Sequence, residues 1–130
     1  MGGWMIRDDL KYSSEHEWVR VEKNEATVGI THYAQDKLGD VVYVNLPSVG
    51  SAAKAGKEFA EVESTKATSP IYAPLSGKVV RVNESLKDKP EMINEEPYGR
   101  GWIAVIQMES PAETDALLDA AGYERFLKSH

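Results

Sequence analysis

Lys66 stands in the stretch "EVESTKATSPIYAPLSG", Glu61 to Gly77, framed by the small and hydroxylated residues Ser64, Thr65, Ala67 and Thr68. A primary amine in that setting can serve four purposes. It can be an ordinary solvated turn lysine. It can form a Schiff base, which needs desolvation or a neighbouring cation to free the amine; Glu61 and Glu63 supply negative charge instead. It can bind phosphate, but no glycine-rich run precedes it, so there is no P-loop. Or it can anchor a cofactor that swings between separate active sites, which asks for an exposed amine on a rigid turn with no competing chemistry nearby. Taken locally, the residues leave the first and last readings open.

His16, Glu17 and His32 raise a metal question. Neighbouring strand residues point to opposite faces, so His16 and Glu17 make poor joint ligands, and no metal site is assigned. His16 reads as a structural hydrogen-bonding residue, and Trp18, Tyr43 and Trp102 as core or rim packing.

The elements that must position Lys66 are mostly strands. "EWVRVE" (Glu17–Glu22) and "ATVGI" (Ala26–Ile30) flank the polar "KNE" as a hairpin. "THYAQDKLGD" predicts a short helix with Thr31 as N-cap and Gly39 as its stop. "DVVYVNL" (Asp40–Leu46) is β-branched and bounded by Pro47, and "KEFAEVE" (Lys57–Glu63) alternates as a half-buried strand. After Lys66, "IYAP" predicts a short strand closed by Pro74, followed by the turn "LSG" and a strand over Lys78–Asn83. Lys66 then falls at a hairpin tip, accessible to another protein. Glu84–Gly101 reads as a long surface loop with functional potential, because the strand Trp102–Met108 follows it. Ser110, Pro111 and Glu113 spell a capping box for a terminal helix, and Gly122 precedes a short "YERFLK" turn. Many short strands with a terminal helix predict a mainly β sandwich or barrel.

Bulk properties narrow the partners. With 130 residues the chain reads as one domain, and 42% hydrophobic with 28% charged residues suits a soluble globular protein. The net charge of −6 argues against binding a nucleic-acid backbone. There is no cysteine, which removes disulfides, thiolate metal ligands and thiol nucleophiles. No apolar run approaches the roughly 20 residues of a membrane span. "MGGWMIRDDL" has neither the apolar stretch of a signal peptide nor the composition of a transit peptide, so the expected location is the cytoplasm of a prokaryote.

"VESTKATSPIYAPLSGKVVRVN" resembles the lipoyl-lysine hairpin of the glycine cleavage system H proteins. "KYSSEHEWVRVE", "ATVGITHYAQDKLGDVVYVNLPSVG", "KPEMINEEPYGRGWIAVIQ" and the C-terminal segment resemble the same family in order and spacing, from about residue 10 to residue 127. Biotin carriers typically have methionine on both sides of the lysine, and Thr65 and Ala67 stand there instead. The resemblance implies a lipoyl-domain-type β-sandwich (a barrel-sandwich hybrid) with short helices, including C-terminal ones. It implies lipoic acid in amide linkage to Lys66, with Glu63, Ser64, Thr65 and Ala67 forming the modification turn.

The protein so implied is a carrier and not itself an enzyme. Its lipoyl group takes an aminomethyl group from glycine at a pyridoxal-phosphate decarboxylase (P protein) and delivers it to a tetrahydrofolate-dependent aminomethyltransferase (T protein). A dihydrolipoyl dehydrogenase (L protein) reoxidises it, and a lipoate ligase or a lipoyl or octanoyl transferase installs it. In the family the loaded arm is sheltered in a surface cleft, and Glu17 is the position matching the sheltering glutamate; the bland alternative for Glu17 is a solvated charge at a strand start. Two departures stand out. Pro70 occupies a position that is commonly acidic, four residues after the lysine, and His32 begins the short helix where an acid is usual. Pro70 also keeps a second reading in view, a related lipoate carrier in sulfur oxidation or lipoyl relay. A biotinyl carrier is the rival from another class.

Overall fold

The computed structural model describes residues 4–129. The chain runs β1 (Lys11–Tyr12), β2 (Glu17–Glu22), β3 (Glu25–Ile30), α1 (His32–Leu38), β4 (Val41–Asn45), β5 (Ala52–Ala53), β6 (Glu58–Ser64), β7 (Thr68–Tyr72), β8 (Gly77–Val82), α2 (Ser85–Asp88), α3 (Met92–Glu95), β9 (Ala104–Met108), a 3-10 helix (Pro111–Ala116) and α4 (Ala120–Ser129). One antiparallel sheet has the order β1-β2-β3-β9-β8-β5, the other β4-β6-β7. This is the mainly β architecture with short and C-terminal helices that the sequence predicts. Among the described residues, no helix is long and apolar enough to cross a membrane.

Two apolar clusters hold these layers together. The larger draws Val19, Val28 and Ile30 from one sheet and Val44, Val62 and Ile71 from the other. The smaller gathers Leu10, Tyr12, Trp18 and Tyr98 with Tyr123 of α4. Period-two alternation makes both possible at once: Trp18 and Val19 are adjacent in β2, point to opposite faces, and enter different clusters. Trp18 is fully buried and donates its indole N–H to the Pro97 carbonyl at 2.8 Å. Its ring lies over its register partner Gly29, where an added Cβ would come within 2.6 Å of the indole; only glycine leaves that space.

Several local readings change. The strand after Lys66 begins at Thr68, earlier than "IYAP", and passes through Pro70. Proline is tolerated there because β7 is the outer strand of its sheet, so a missing N–H breaks no ladder on the open side. The stretch 84–101 is not a structureless loop: it folds into the single-turn helices α2 and α3. The capping box does not form. Ser110 makes no side-chain cap, and the Glu113 carboxylate instead accepts from the Ser76 amide at 2.7 Å and the Ser76 hydroxyl at 3.2 Å. A charge-assisted bond across the β7–β8 turn outcompetes the local cap. Gly122 lies inside α4 and does not precede it. Tyr43 is 52% exposed, a surface residue of β4, while Trp102 packs partly buried against the smaller cluster.

Candidate functional site

β6 and β7 pair from Glu58–Tyr72 up to Glu63–Thr68, which leaves Thr65–Ala67 as the bend at the tip. Ser64 builds that bend. Its backbone N–H donates to the Ala67 carbonyl at 2.8 Å, and its hydroxyl accepts from the amides of Lys66 and Ala67 at 3.2 and 3.1 Å. The hydroxyl therefore does locally what a ladder bond would do, the usual use of serine in a turn. Thr65 donates its amide to the Asp40 carbonyl at 3.0 Å, tying the tip to the corner that ends α1. Glu63 is half-buried, whereas Thr65, Lys66 and Ala67 are exposed. Among the described residues Lys66 makes no ion pair.

The Gly39–Asp40 corner is shaped for Lys66. Gly39 holds φ 82° and ψ −162°, a region that L side chains avoid. A Cβ built there would meet Cε of Lys66 at 3.4 Å, so the lysine stem lies along the bare backbone. Asn94, from α3, fastens the corner: Nδ2 donates to the Gly39 carbonyl at 2.9 Å and to Oε1 of Gln35 at 3.0 Å, and Oδ1 accepts from the Val41 amide at 2.8 Å. The far end of α1 is capped by Thr31, whose hydroxyl accepts from the Ala34 amide at 3.2 Å and shares a 2.8 Å bond with the Tyr123 hydroxyl. That hydroxyl also meets Nδ1 of His16 at 2.8 Å. α4 thus secures both the start of α1 and His16, which takes the hydrogen-bonding place the sequence expects of it.

A cleft of about 410 Å³ opens beside the lysine hairpin. Tyr33, Ala34, Lys37 and Leu38 of α1 form one wall. Ser69, Pro70, Ile71 and Tyr72 of β7 form the other, with Ala67 at the tip end. Glu17 and Ile30 lie at the base, and Glu15 and His16 line the rim.

Glu17 is the chemically distinctive member of this cleft. Its residue is 2% exposed, which overturns the solvated-charge alternative. Oε1 accepts from the Ser13 hydroxyl at 2.5 Å and Oε2 from the Tyr72 amide at 3.3 Å. Ser13 is itself set by the β1–β2 turn, where its hydroxyl accepts from the amides of Glu15 and Glu17. Burial pushes the Glu17 carboxyl up to about 7, and the two hydrogen bonds only partly oppose that. Neither hydrogen-bond partner is a cation, and Glu15 adds repulsion. Such a carboxylate favours an incoming cation, above all a protonated amine. Among the described residues, no three His, Cys, Asp or Glu side chains are grouped to hold a metal ion.

The sequence model of the Glycine cleavage H-protein family matches residues 10–130. The chain belongs to that family. The chain is 58% identical over 120 residues to the glycine cleavage system H protein of Symbiobacterium thermophilum, covering 92% of this chain and 94% of the relative. It is 54% identical over 123 residues to that of Coprothermobacter proteolyticus, covering 94% and 97%. A crystal structure of a glycine cleavage system H protein from Mycobacterium marinum superposes with a TM-score of 0.87 at 39% identity, covering 95% of this chain and 99% of that one.

With the family in hand, the placement of each expected residue is plain. Glu63, Ser64, Thr65, Lys66 and Ala67 sit together at the β6–β7 tip, and Glu17 lies at the base of the neighbouring cleft. Pro70 faces that cleft, so an acid is absent from the β7 wall. His32 does not line it. Sequence reasoning missed Ser13, Glu15 and Asn94, and read Gly39 only as the stop of α1. The sequence "SSEHE" offered a signal for Ser13, since a serine two and four residues before glutamates is placed to bond their amides in a turn. Asn94 offered none, because its three partners lie more than 50 residues away.

Proposed function

We propose that this chain is the lipoylated carrier of the glycine cleavage system, with lipoic acid in amide linkage to Lys66. The observation that carries the reading is the exposed Lys66 on a bend beside a cleft whose base is a buried, cation-seeking Glu17. When attached, lipoate supplies a dithiolane able to carry an aminomethyl group and reducing equivalents between enzymes. The chain's own residues fit that task. Ser64 stiffens the turn, small neighbours leave room around the amine, and Gly39 lets the lysine stem lie along the corner that ends α1. Glu17 receives the positive end of the cargo, while Ile30, Leu38 and Ile71 keep water from it. Pro70 contributes shape but no charge, which leaves Glu17 and the rim carboxylate Glu15 as the anionic groups of the cleft.

In this reading the chain is a single non-catalytic domain working in the cytoplasm. The decarboxylase (P protein), aminomethyltransferase (T protein) and dihydrolipoyl dehydrogenase (L protein) each address the exposed tip, as does the lipoate ligase or lipoyl or octanoyl transferase that modifies it. The test joins mass and function. The chain produced with a lipoate ligase gains the lipoyl mass on Lys66, whereas Lys66→Ala gains none, keeps its fold, and supports no glycine–bicarbonate exchange with the decarboxylase. A biotinyl mass, or normal exchange by Lys66→Ala, refutes the assignment.

A further inference from the structure

Trp4 to Arg7 precede the segment that the family model matches. They nonetheless form a strap in which the backbone amide and carbonyl of both Met5 and Arg7 are engaged. The Met5 amide donates to Nδ1 of His32 at 2.8 Å, and the Tyr98 hydroxyl donates to the Met5 carbonyl at 2.6 Å. That same hydroxyl accepts from the His32 amide at 3.2 Å, so Tyr98 couples strap and helix start through one oxygen. The Arg7 amide and carbonyl both meet the Tyr12 hydroxyl, at 2.6 and 2.8 Å. Ile6 packs into the smaller apolar cluster.

Trp4 makes the contact that matters for the cleft. Its ring stands edge-on to Tyr33 at 5.1 Å and to His32 at 5.8 Å. The Lys37 ammonium lies 5.6 Å from the Trp4 ring and 5.4 Å from the Tyr33 ring. Tyr33 and Lys37 are two of the α1 residues that wall the cleft. α1 has only seven residues, too few for a helix to hold itself without tertiary support. Thr31 and Asn94 secure its two ends, and Trp4 braces the wall residues between them.

We propose that Trp4 and His32 are positioning residues for the carrier reaction: the N-terminal strap, latched on the His32 ring, braces Tyr33 and Lys37 and so sets how tightly the cleft shelters its cargo. This rests on the carrier reading above. It also gives His32 a role that an acid at the helix start would fill differently, since an imidazole both accepts from the strap amide and offers a ring face to Trp4.

The test uses the full lipoylated chain with Trp4→Ala, His32→Leu, His32→Asn and, as a control on the cleft itself, Glu17→Ala. Two readouts are taken. Amide hydrogen exchange over residues 33–38 is followed in the unloaded protein, and spontaneous release of methylamine is followed in the loaded protein without aminomethyltransferase. Trp4→Ala and His32→Leu should speed both by about fivefold, the scale of losing an edge-to-face aromatic contact. His32→Asn, whose Oδ1 can replace Nδ1 as acceptor, should recover part of the exchange protection. Lipoylation should be equal in all four variants. Unchanged α1 exchange in Trp4→Ala and His32→Leu overturns the brace. Faster exchange with unchanged release, while Glu17→Ala does accelerate release, overturns its link to sheltering. Failure of the unmutated protein to load overturns the carrier reading and the strap's role with it.

Discussion

Replacing Glu17 with glutamine keeps the shape of the side chain and removes its titration. The carboxyl is 2% exposed, and its proton affinity is raised from 4.5 to about 7, chiefly by burial. A raised carboxyl pKa means that folding disfavours the ionised form. The associated stability is fully present below the unfolded value and is lost as pH rises through the folded one. Integrating between about pH 5 and about pH 8 gives a loss of about 2.5 kcal/mol from this one residue. Glutamine avoids that loss but cannot match both donors, Ser13 and Tyr72, with its one carbonyl oxygen. The mismatch costs about 1 kcal/mol at every pH.

Glu17→Gln should therefore be slightly less stable than the unmutated chain at about pH 5 and more stable by about 1–2 kcal/mol at about pH 8. Urea unfolding of both proteins at the two pH values reads this directly, because the other titrating groups cancel in the difference. A stability difference that does not move with pH refutes the claim that Glu17 bears a desolvation cost. The same variant should release loaded methylamine faster, since an amide attracts an ammonium less than a carboxylate does. Gaining stability while losing retention is the pattern of a residue kept for function.

Two other substitutions probe the corner beneath Lys66. Asn94→Ala removes bonds to Gly39, Gln35 and Val41, and should cost about 1–3 kcal/mol in urea unfolding and slow lipoylation at limiting ligase. Gly39→Ala should cost a similar amount, about 1–3 kcal/mol, for a different reason: φ of 82° disfavours any L side chain, although the new methyl would only touch Cε of Lys66. Equal stability of Gly39→Ala and the unmutated chain would show that the corner relaxes freely.

Local signals made much of the fold legible. The β2–β3 hairpin follows from two β-branched runs around a polar turn, and α1 from Thr31 and Gly39 at its two ends. The exposed β6–β7 tip was legible for the same reason, because small residues between two strands imply an exposed bend. Where a residue's partner lies far along the chain, reading fails. Glu113 looks like half of a capping box until Ser76 arrives from another turn to claim it. Glu84–Gly101 looks like a loop because α2 and α3 are single turns held by contacts and not by periodicity. Above all, the burial of Glu17 cannot be seen in "SSEHEW": it is created when β7, more than 50 residues later, lays its Tyr72 amide on the carboxylate.

That dependence also bears on how Pro70 can be accommodated. β7 contributes to Glu17 through a backbone amide, which any residue but proline can offer, and Pro70 lies two positions away from it. The wall can therefore lose a side-chain acid without losing the contact that holds Glu17 in place. What changes is the charge of the cleft: fewer carboxylates compete for the same cation, so Glu17 carries more of the hold by itself. On this account Pro70→Asp should strengthen retention of a loaded amine, read as slower methylamine release. It should also raise the Glu17 carboxyl further through like-charge repulsion, steepening the loss of stability between about pH 5 and about pH 8. Slower release without the steeper pH dependence would place the new carboxylate too far from Glu17 for the two to share one cargo.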